Sequence, residues 1–153
     1  MTDFDSCIFS VAPSNGMSRY PFPANAVPCS TNSGANFMAP PGFSVSKISA
    51  NGQTNGLTGA GAAVGQFRYY DYQRYVTGPG TFNFYYGYTP VANIAVGAYE
   101  YGMGLSPGVG SLLSDTFATL FSSNGPTAQQ AQFRNVGFAL ASGKATYTCQ
   151  SHP

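Results

Sequence analysis

The stretch TPVANIAVGAYEYGMGLSPGVGSLLSDTFATLFSSNGPTAQQAQFRNVGFALASG, residues 89–143, decides the fold that this sequence predicts. It holds three helix-start signals, at Thr89, Ser106 and Thr127, and proline directly follows the first two. A Ser or Thr hydroxyl accepts a hydrogen bond from the first helical turn, and proline at the first helical position loses no backbone bond. The three predicted helices extend to about Met103, Ser123 and Gly143.

The middle one of these helices has the clearest apolar stripe. Residues at i, i+3, i+4 and i+7 spacing lie on one helix face, and burying each large apolar side chain contributes about 1.5–3 kcal/mol. We therefore expect this helix to be the main core element. The predicted fold class is mainly α, with three short consecutive helices in the C-terminal half and a loop-rich N-terminal half with at most short β elements. The stripe consists of Val109, Leu112, Leu113, Thr116, Phe117, Leu120 and Phe121.

The 153 residues suffice for a single domain. Residues 1–45 are dense in Pro, Asn, Ser and Gly, and proline removes a backbone donor and restricts the residue before it. We therefore expect residues 1–50 to form an extended segment packed on a helical core of residues 51–153. A short strand is predicted near residues 43–48.

The segment QFRYYDYQRYVTGPGTFNFYYGY, residues 66–88, places the turn sequence Thr-Gly-Pro-Gly, residues 77–80, between two aromatic runs. Aromatic runs on both sides of such a turn are typical of a β-hairpin. The first run can equally end a helix that starts in residues 57–64 and continues through residues 66–75. If it does not, residues 51–65 are a flexible connection. Both alternatives stay open.

Charge is scarce, which bears on the partners. Charged residues make up 7% of the chain, the formal net charge is +1, and the six basic residues are scattered. Because duplex nucleic acid is bound by clustered Lys and Arg, no duplex partner is expected. Aromatic residues reach 15%, and a surface of Tyr, Asn, Gln and Ser favours neutral polar partners such as glycans, or another protein.

Three cysteines cannot all pair within one chain, so at most one disulfide is expected, and its presence depends on the compartment. In an oxidising compartment the preferred pair is Cys29 with Cys149, leaving Cys7; free buried thiols are the equal alternative. No cysteine or histidine spacing fits a metal site, and the only histidine is His152. We expect no metal and no cofactor.

Export is predicted without a signal peptide. Residues 1–14 lack the basic and then apolar regions of a Sec signal, and no stretch approaches the roughly 18 apolar residues that cross a bilayer. A composition typical of exported proteins then predicts a module of a larger exported protein, or the cargo of a dedicated secretion machine.

Glu100 is the first candidate for catalysis. Asn93, Gly97 and Glu100 share one stripe of the first predicted helix, where Gly97 would leave a notch beside Tyr99 and Tyr101. A carboxylate surrounded by aromatic rings is favoured in its protonated form, which suits a general acid. The alternative is a solvated Glu on an exposed helix face.

Asp71 is the second candidate. Arg68 and Arg74 each lie three residues from it and share its side if the segment is helical, with Gln73 close by. An ionised Asp71 could position substrate or activate water, and it could equally belong to a structural salt bridge. Glycoside cleavage needs two acids about 5–9.5 Å apart, and Asp71 with Glu100 is the pair we nominate.

Three short motifs carry a resemblance to a known family. They are Tyr70-Asp71-Tyr72-Gln73, the spaced Asn93, Gly97 and Ala98, and Gly104-Leu105-Ser106. Across residues 66–143 the chain resembles the C-terminal toxin domains of bacterial polymorphic (Rhs-type) secreted effectors. The resemblance implies an antibacterial toxin, a cognate immunity protein and export without a signal peptide. It names no substrate, because such toxins include nucleases, deaminases and envelope hydrolases.

The sequence therefore predicts an antibacterial effector domain that hydrolyses a cell-envelope glycan of the peptidoglycan type, with the periplasm as the favoured site of action. The alternatives are a nuclease toxin and a non-enzymatic, self-assembling Tyr- and Gly-rich extracellular subunit. For the hydrolase, the catalytic residues are Asp71 and Glu100, and the substrate-binding residues are Arg68, Gln73, Arg74, Asn93 and Tyr99.

Overall fold

A computed structural model describes residues 17–64, 69–121 and 127–150. Within these ranges there are four α-helices and six β-strands, and the strands form two three-stranded sheets. The prediction of a mainly α fold with three helices is therefore wrong, and the fold is α/β. In chain order the elements are β1 (Met17–Tyr20), β2 (Val27–Thr31), β3 (Asn36–Ala39), α1 (Val45–Val64), β4 (Arg74–Gly78), β5 (Thr81–Tyr85), α2 (Thr89–Gly102), α3 (Pro107–Phe121), α4 (Ala128–Ala141) and β6 (Tyr147–Cys149).

The first sheet has the order β3-β2-β6, and both pairings are antiparallel. Its central strand contains Pro28, which argues against a strand when read from sequence alone. The carbonyl of Pro28 accepts from the Gln150 backbone N–H at 2.9 Å, just past the end of β6. The N–H that Pro28 lacks would point to the β6 side of the strand, near the end of that ladder. Its absence therefore removes no hydrogen bond between β2 and β3.

The second sheet has the order β1-β5-β4, with β1 parallel to β5. Strands β4 and β5 form an antiparallel hairpin, and Gly80 has a φ of 69° in its turn. The hairpin alternative for residues 66–88 is thus confirmed. Helix continuation through residues 66–75 is wrong, because β4 begins at Arg74.

Helix α1 occupies the region for which the sequence predicts a short strand and then allows a flexible connection. The strand predicted near residues 43–48 is wrong, because Ser44 caps a helix: its Oγ accepts from the Lys47 N–H at 3.3 Å. The same helix includes residues 57–64, and the boundary drawn at residue 50 falls inside it. Gly56 interrupts the helical backbone with a φ of 56°, which divides α1 into two segments.

Two of the three predicted helix starts are confirmed in detail. Ser106 Oγ accepts from the Val109 N–H, and Thr127 forms a capping box with Gln130. Thr89 has a different role, because the 3₁₀ turn Tyr86–Tyr88 precedes it and its hydroxyl makes no cap.

The core is centred on α2 and not on α3. Val91, Ile94, Ala95, Ala98 and Tyr99 of α2 are each 0% exposed. The stripe residues of α3 whose side chains are described are exposed instead: Val109 by 51%, Leu112 by 69% and Leu113 by 40%. Within the described part of the chain the core is therefore built on α2, and the described start of the α3 stripe does not contribute to it. The other stripe residues, Thr116, Phe117, Leu120 and Phe121, have side chains outside the described part of the chain.

Glycines let two helices pack closely against α2. A Cβ on Gly97 would stand 2.0 Å from the Arg134 carbonyl oxygen of α4, and one on Gly137 would stand 2.2 Å from the Ile94 carbonyl oxygen. On the α1 side, a Cβ on Gly52 would stand 2.2 Å from the Tyr99 carbonyl oxygen. These contacts leave no room for any side chain at the three glycines.

A disulfide joins Cys29 to Cys149, which are directly opposite each other on β2 and β6. The preferred pairing is thereby confirmed, and Cys7 lies outside the described residues. The Tyr147 hydroxyl also accepts from the Val45 N–H at 3.1 Å. The end of the chain is therefore attached both to the first sheet and to the start of α1.

We expect Gly97→Ala to destabilise the protein by about 2 kcal/mol or more, because α2 and α4 must separate to admit the methyl group. Gly108→Ala is the matched control. A Cβ there has nothing within 4 Å, and the helical alanine should stabilise by about 0.5–1 kcal/mol. Urea unfolding followed by circular dichroism measures both. Equal stability of the two variants would contradict the close packing.

Tyr88 offers a pH test of the core. It is 3% exposed, and among the described residues none offers its hydroxyl a hydrogen-bond partner. Burial, followed by the neighbouring Tyr85, raises the pKa of Tyr88 from 10.0 to about 12. Above pH 10 the unfolded chain releases this proton while the folded chain keeps it. The free energy of unfolding should therefore fall as the pH rises from 10 towards 12.

Tyr88→Phe removes this titration and an unsatisfied buried hydroxyl. We expect the variant to be about 1 kcal/mol more stable near neutral pH and to lose less stability at alkaline pH. Urea midpoints near neutral pH and near about pH 11 measure both effects. A variant whose midpoint falls as steeply with pH as that of the parent would refute the assignment.

Candidate functional site

Glu100 lies where three helices meet, and it is buried. Its side chain is on α2 and only 4% of the residue is exposed, so the alternative of a solvated Glu is wrong. The Ser114 hydroxyl of α3 donates a hydrogen bond to Oε1. A Cβ on Gly110 of α3 would stand 2.3 Å from Oε2 and 2.7 Å from the Phe138 ring of α4. The carboxylate is therefore enclosed by α3 and by an aromatic ring.

The notch expected at Gly97 is occupied. The Arg134 backbone of α4 fills it, and Arg134 itself is 2% exposed. Asn93, predicted on the same stripe, donates from Nδ2 to the Thr89 carbonyl oxygen at 2.9 Å. The residues on the Glu100 stripe thus take part in helix packing and helix geometry, and the notch is not open space.

Asp71 belongs to a different cluster, in the turn before β4. Arg74 Nη1 donates to both carboxylate oxygens of Asp71, at 3.2 and 3.0 Å. The side chains are only 4% exposed for Asp71 and 8% for Arg74. The Arg74 guanidinium also lies 5.4 Å from the centroid of the Phe84 ring. Since both charges are buried and paired, Asp71 is held in one orientation.

Gln73 attaches this cluster to the start of α2. Its Oε1 accepts from the Thr89 hydroxyl at 2.6 Å. The structure therefore brings Asp71, Gln73 and Arg74 together at the first turn of α2, with Asn93 bonded to the same Thr89. Arg68, predicted to join them, lies outside the described residues.

The two candidate acids are held in separate settings. Thr89 contacts the Asp71 cluster through Gln73. Glu100 lies on the same helix, eleven residues further along the chain. At 1.5 Å per residue this is about 16 Å of helix axis. Asp71 is fixed by the hairpin and Glu100 by α3 and α4, so each acid has to be judged by itself.

Tyr99 is enclosed by the core. It is 0% exposed, and its hydroxyl donates to the Gly56 carbonyl oxygen at 2.9 Å. The acceptor lies at the kink of α1, so Tyr99 contacts α1 where its two segments join. Burial raises the pKa of Tyr99. In this structure Tyr99 is a core contact that stabilises α1 on α2.

The sequence reasoning missed a cleft of about 590 Å³ on the first sheet. Its lining includes Ser30, Asn36, Thr148 and Gln150, together with both cysteines of the disulfide. No charged residue lines it within the described chain. The period-two burial of β2 was the available signal, since residues 27–31 alternate between buried and exposed. Five residues of alternation around a proline are too few to identify a strand.

The described residues form no group of three His, Cys, Asp or Glu side chains able to hold a metal ion. In the same part of the chain, none of the helices has the length and apolar character needed to span a bilayer.

Comparison with known proteins adds no relative: no family model, no curated protein and no solved structure matches this chain significantly. Function is therefore inferred from the geometry of the described residues.

Proposed function

We propose that this domain is an antibacterial effector toxin domain that hydrolyses a neutral, peptidoglycan-type glycan of the cell envelope, with Glu100 as the acid–base carboxylate. The burial of Glu100 carries the proposal. A carboxylate that is 4% exposed is rare in a folded chain, and this one accepts from a serine hydroxyl and lies beside an aromatic ring. Buried acids that are held in one orientation are candidates for acid–base chemistry.

Glu100 acts first as a general acid and then as a general base. In the proposed cycle α3 moves aside so that the substrate reaches the carboxyl, and the protonated carboxyl gives its proton to the leaving glycosidic oxygen. Water adds at the sugar carbon on the face that the leaving group vacates, and the proton of that water returns to the carboxylate, so that one acid serves both steps and Asp71 is not needed as a second acid. The cycle begins with the carboxyl protonated and ends with the same form restored. Ser114 supports this role as a positioning residue, because its hydrogen bond to Oε1 orients the carboxyl group.

Asp71 takes the part of a positioning residue. The two hydrogen bonds that Arg74 Nη1 donates to its carboxylate hold the turn that presents Gln73 to Thr89. The nuclease alternative finds less support in this arrangement, because Arg74 is only 8% exposed and already bound to a carboxylate. A phosphate would have to displace that carboxylate to reach the guanidinium.

The proposed site of action is the cell envelope. The Cys29–Cys149 disulfide suits an oxidising compartment such as the periplasm. A chain with 7% charged residues suits a neutral glycan better than a polyanion. A cognate immunity protein would then protect the producing cell, as the resemblance to polymorphic toxins implies.

The test is Glu100→Gln, which keeps the shape of the side chain and an acceptor for Ser114. We expect it to lose about a hundredfold or more of the activity, as losses of a general acid usually do. Release of fragments from purified peptidoglycan and survival of cells that export the domain to the periplasm both report it. Ser114→Ala should lose part of the activity, and Ser111→Ala on the same helix serves as the control.

Full activity of a correctly folded Glu100→Gln protein, with native circular dichroism, would exclude the acid–base role. The paired change of Asp71→Asn with Arg74→Gln keeps the turn neutral and separates positioning from chemistry. Killing from the cytoplasm, with no effect in the periplasm, would instead favour the nuclease alternative.

A second candidate is the self-assembling subunit, and strand β4 favours it. Within the described chain β4 lies at an edge of the second sheet, and its Tyr75 and Val76 are 63% and 59% exposed. An exposed apolar edge strand is a template for pairing with another copy. With a net charge of +1, little repulsion opposes such pairing.

If β4 mediates assembly, light scattering of the purified protein should show a mass that rises with concentration. Val76→Lys should then keep the protein monomeric, because a charge on the edge blocks pairing. Leu57→Lys is the matched control, since Leu57 is equally exposed, at 65%, but lies on α1. A parent protein that stays monomeric at every concentration would eliminate this candidate.

A further inference from the structure

The cleft on the first sheet contains a row of neutral polar side chains that crosses all three strands. Asn36 of β3 is directly opposite Ser30 of β2, and Thr148 of β6 is opposite Ser30 on its other side. Residues directly opposite each other share a face and lie about 4.5–5.5 Å apart. All three residues are exposed. They form a line of one amide and two hydroxyls about 10 Å long.

An apolar row runs beside the polar one. Pro28 of β2 is opposite Met38 of β3, two residues along the strands from the polar row and so about 6.8 Å away. Pro90, at the start of α2, also lines the cleft. Gln150, bonded through its backbone to Pro28, adds a second amide at the end of the apolar row. The cleft therefore offers apolar and hydrogen-bonding surfaces side by side.

The size and the lack of charge of the cleft limit the class of ligand that it can bind. About 590 Å³ falls within the usual range for small-molecule sites, roughly 300–1,000 Å³. No charged residue lines the cleft in the described chain, so an ionic ligand would lose hydration without compensation. A saccharide fits both rows, because each ring has C–H groups on its faces and hydroxyls at its edge.

We propose that this cleft is a saccharide-binding subsite, separate from Glu100, that holds a neutral glycan with Asn36, Ser30 and Thr148 on its hydroxyls and Met38 and Pro28 against a ring face. The choice of a glycan rests on the proposed function, whereas the neutral and amphipathic character of the ligand rests on the lining. The disulfide serves this subsite, because β6 pairs with β2 over only three residues and Cys149 is one of them. Without the disulfide, Thr148 and Gln150 depend on the short β2–β6 ladder and on the Tyr147–Val45 hydrogen bond for their position.

The experiment uses the full chain with Glu100→Gln, so that binding is measured without cleavage. The probes are two neutral trisaccharides, chitotriose and maltotriose, titrated while amide signals are followed by NMR. We expect saturable shifts centred on Ser30, Asn36 and Thr148 for at least one probe. The double variant Asn36→Ala with Thr148→Val should weaken binding about tenfold or more, by loss of two hydrogen bonds.

Thr77→Val is the matched control, because Thr77 is an exposed strand threonine on the hairpin, outside the cleft lining. Its affinity should equal that of the parent. Reduction of the disulfide should also weaken binding, provided that circular dichroism shows the helices intact. Shifts centred elsewhere, affinity unchanged in the double variant, or no saturation by either probe below about 10 mM would each overturn the subsite.

The outcomes separate this proposal from the hydrolase proposal. Peptidoglycan cleavage that persists in the double variant, with no trisaccharide binding in the cleft, removes the subsite and leaves the role of Glu100 standing. Binding in the cleft by a parent protein that cleaves nothing keeps the subsite and removes the hydrolase.

Discussion

The close contact between backbones around α2 is the constraint on which the rest of the structure depends. At Gly97 and Gly137 the main chains of α2 and α4 touch without side chains between them, and Gly52 and Gly102 do the same for α2 and α1. Such contacts fix the distance and the rotation of each helix, because backbone atoms cannot rearrange as side chains can. Thr89 and Glu100 of α2 therefore have fixed neighbours, and this makes α2 the frame that positions both candidate acids.

The frame explains why the two acids have such different surroundings. The first turn of α2 meets the hairpin, so Thr89 binds Gln73 and the Asp71–Arg74 pair lies beside it. The C-terminal turns meet α3, whose Gly110 and Ser114 lie against Glu100. The apolar residues of α3 whose side chains are described, Val109, Leu112 and Leu113, are exposed. The described part of α3 therefore covers Glu100 with small residues and directs its large ones to solvent.

The sequence predicted the features that depend on local chemistry. The caps at Ser106 and Thr127, the hairpin turn and the Cys29–Cys149 pair are present, because each depends on a few neighbouring residues or on one pairing choice. It failed where burial depends on distant chain. An apolar stripe looks the same whether it faces a core or solvent, so it predicts a core role for α3 that the described residues Val109, Leu112 and Leu113 do not have. The Ala- and Gly-rich α2 has too few large residues to mark it as the core. The cleft could not be predicted because Asn36 and Thr148 flank Ser30 only when β6 pairs with β2, and the two cysteines that join these strands have a sequence separation of 120.

Burial of charge inside this fold makes the surface more neutral than the composition suggests. The chain has six basic and five acidic residues, and Arg134, Glu100, Asp71 and the Arg74 side chain are all less than 9% exposed. Over a third of the formal charge is thus withdrawn from the surface, where amides, hydroxyls and tyrosine rings remain to make contacts. Recognition by such a surface depends on hydrogen bonds and apolar contact, which have short range, and not on long-range steering by charge. A neutral, hydroxyl-rich polymer meets those requirements, and a polyanion does not.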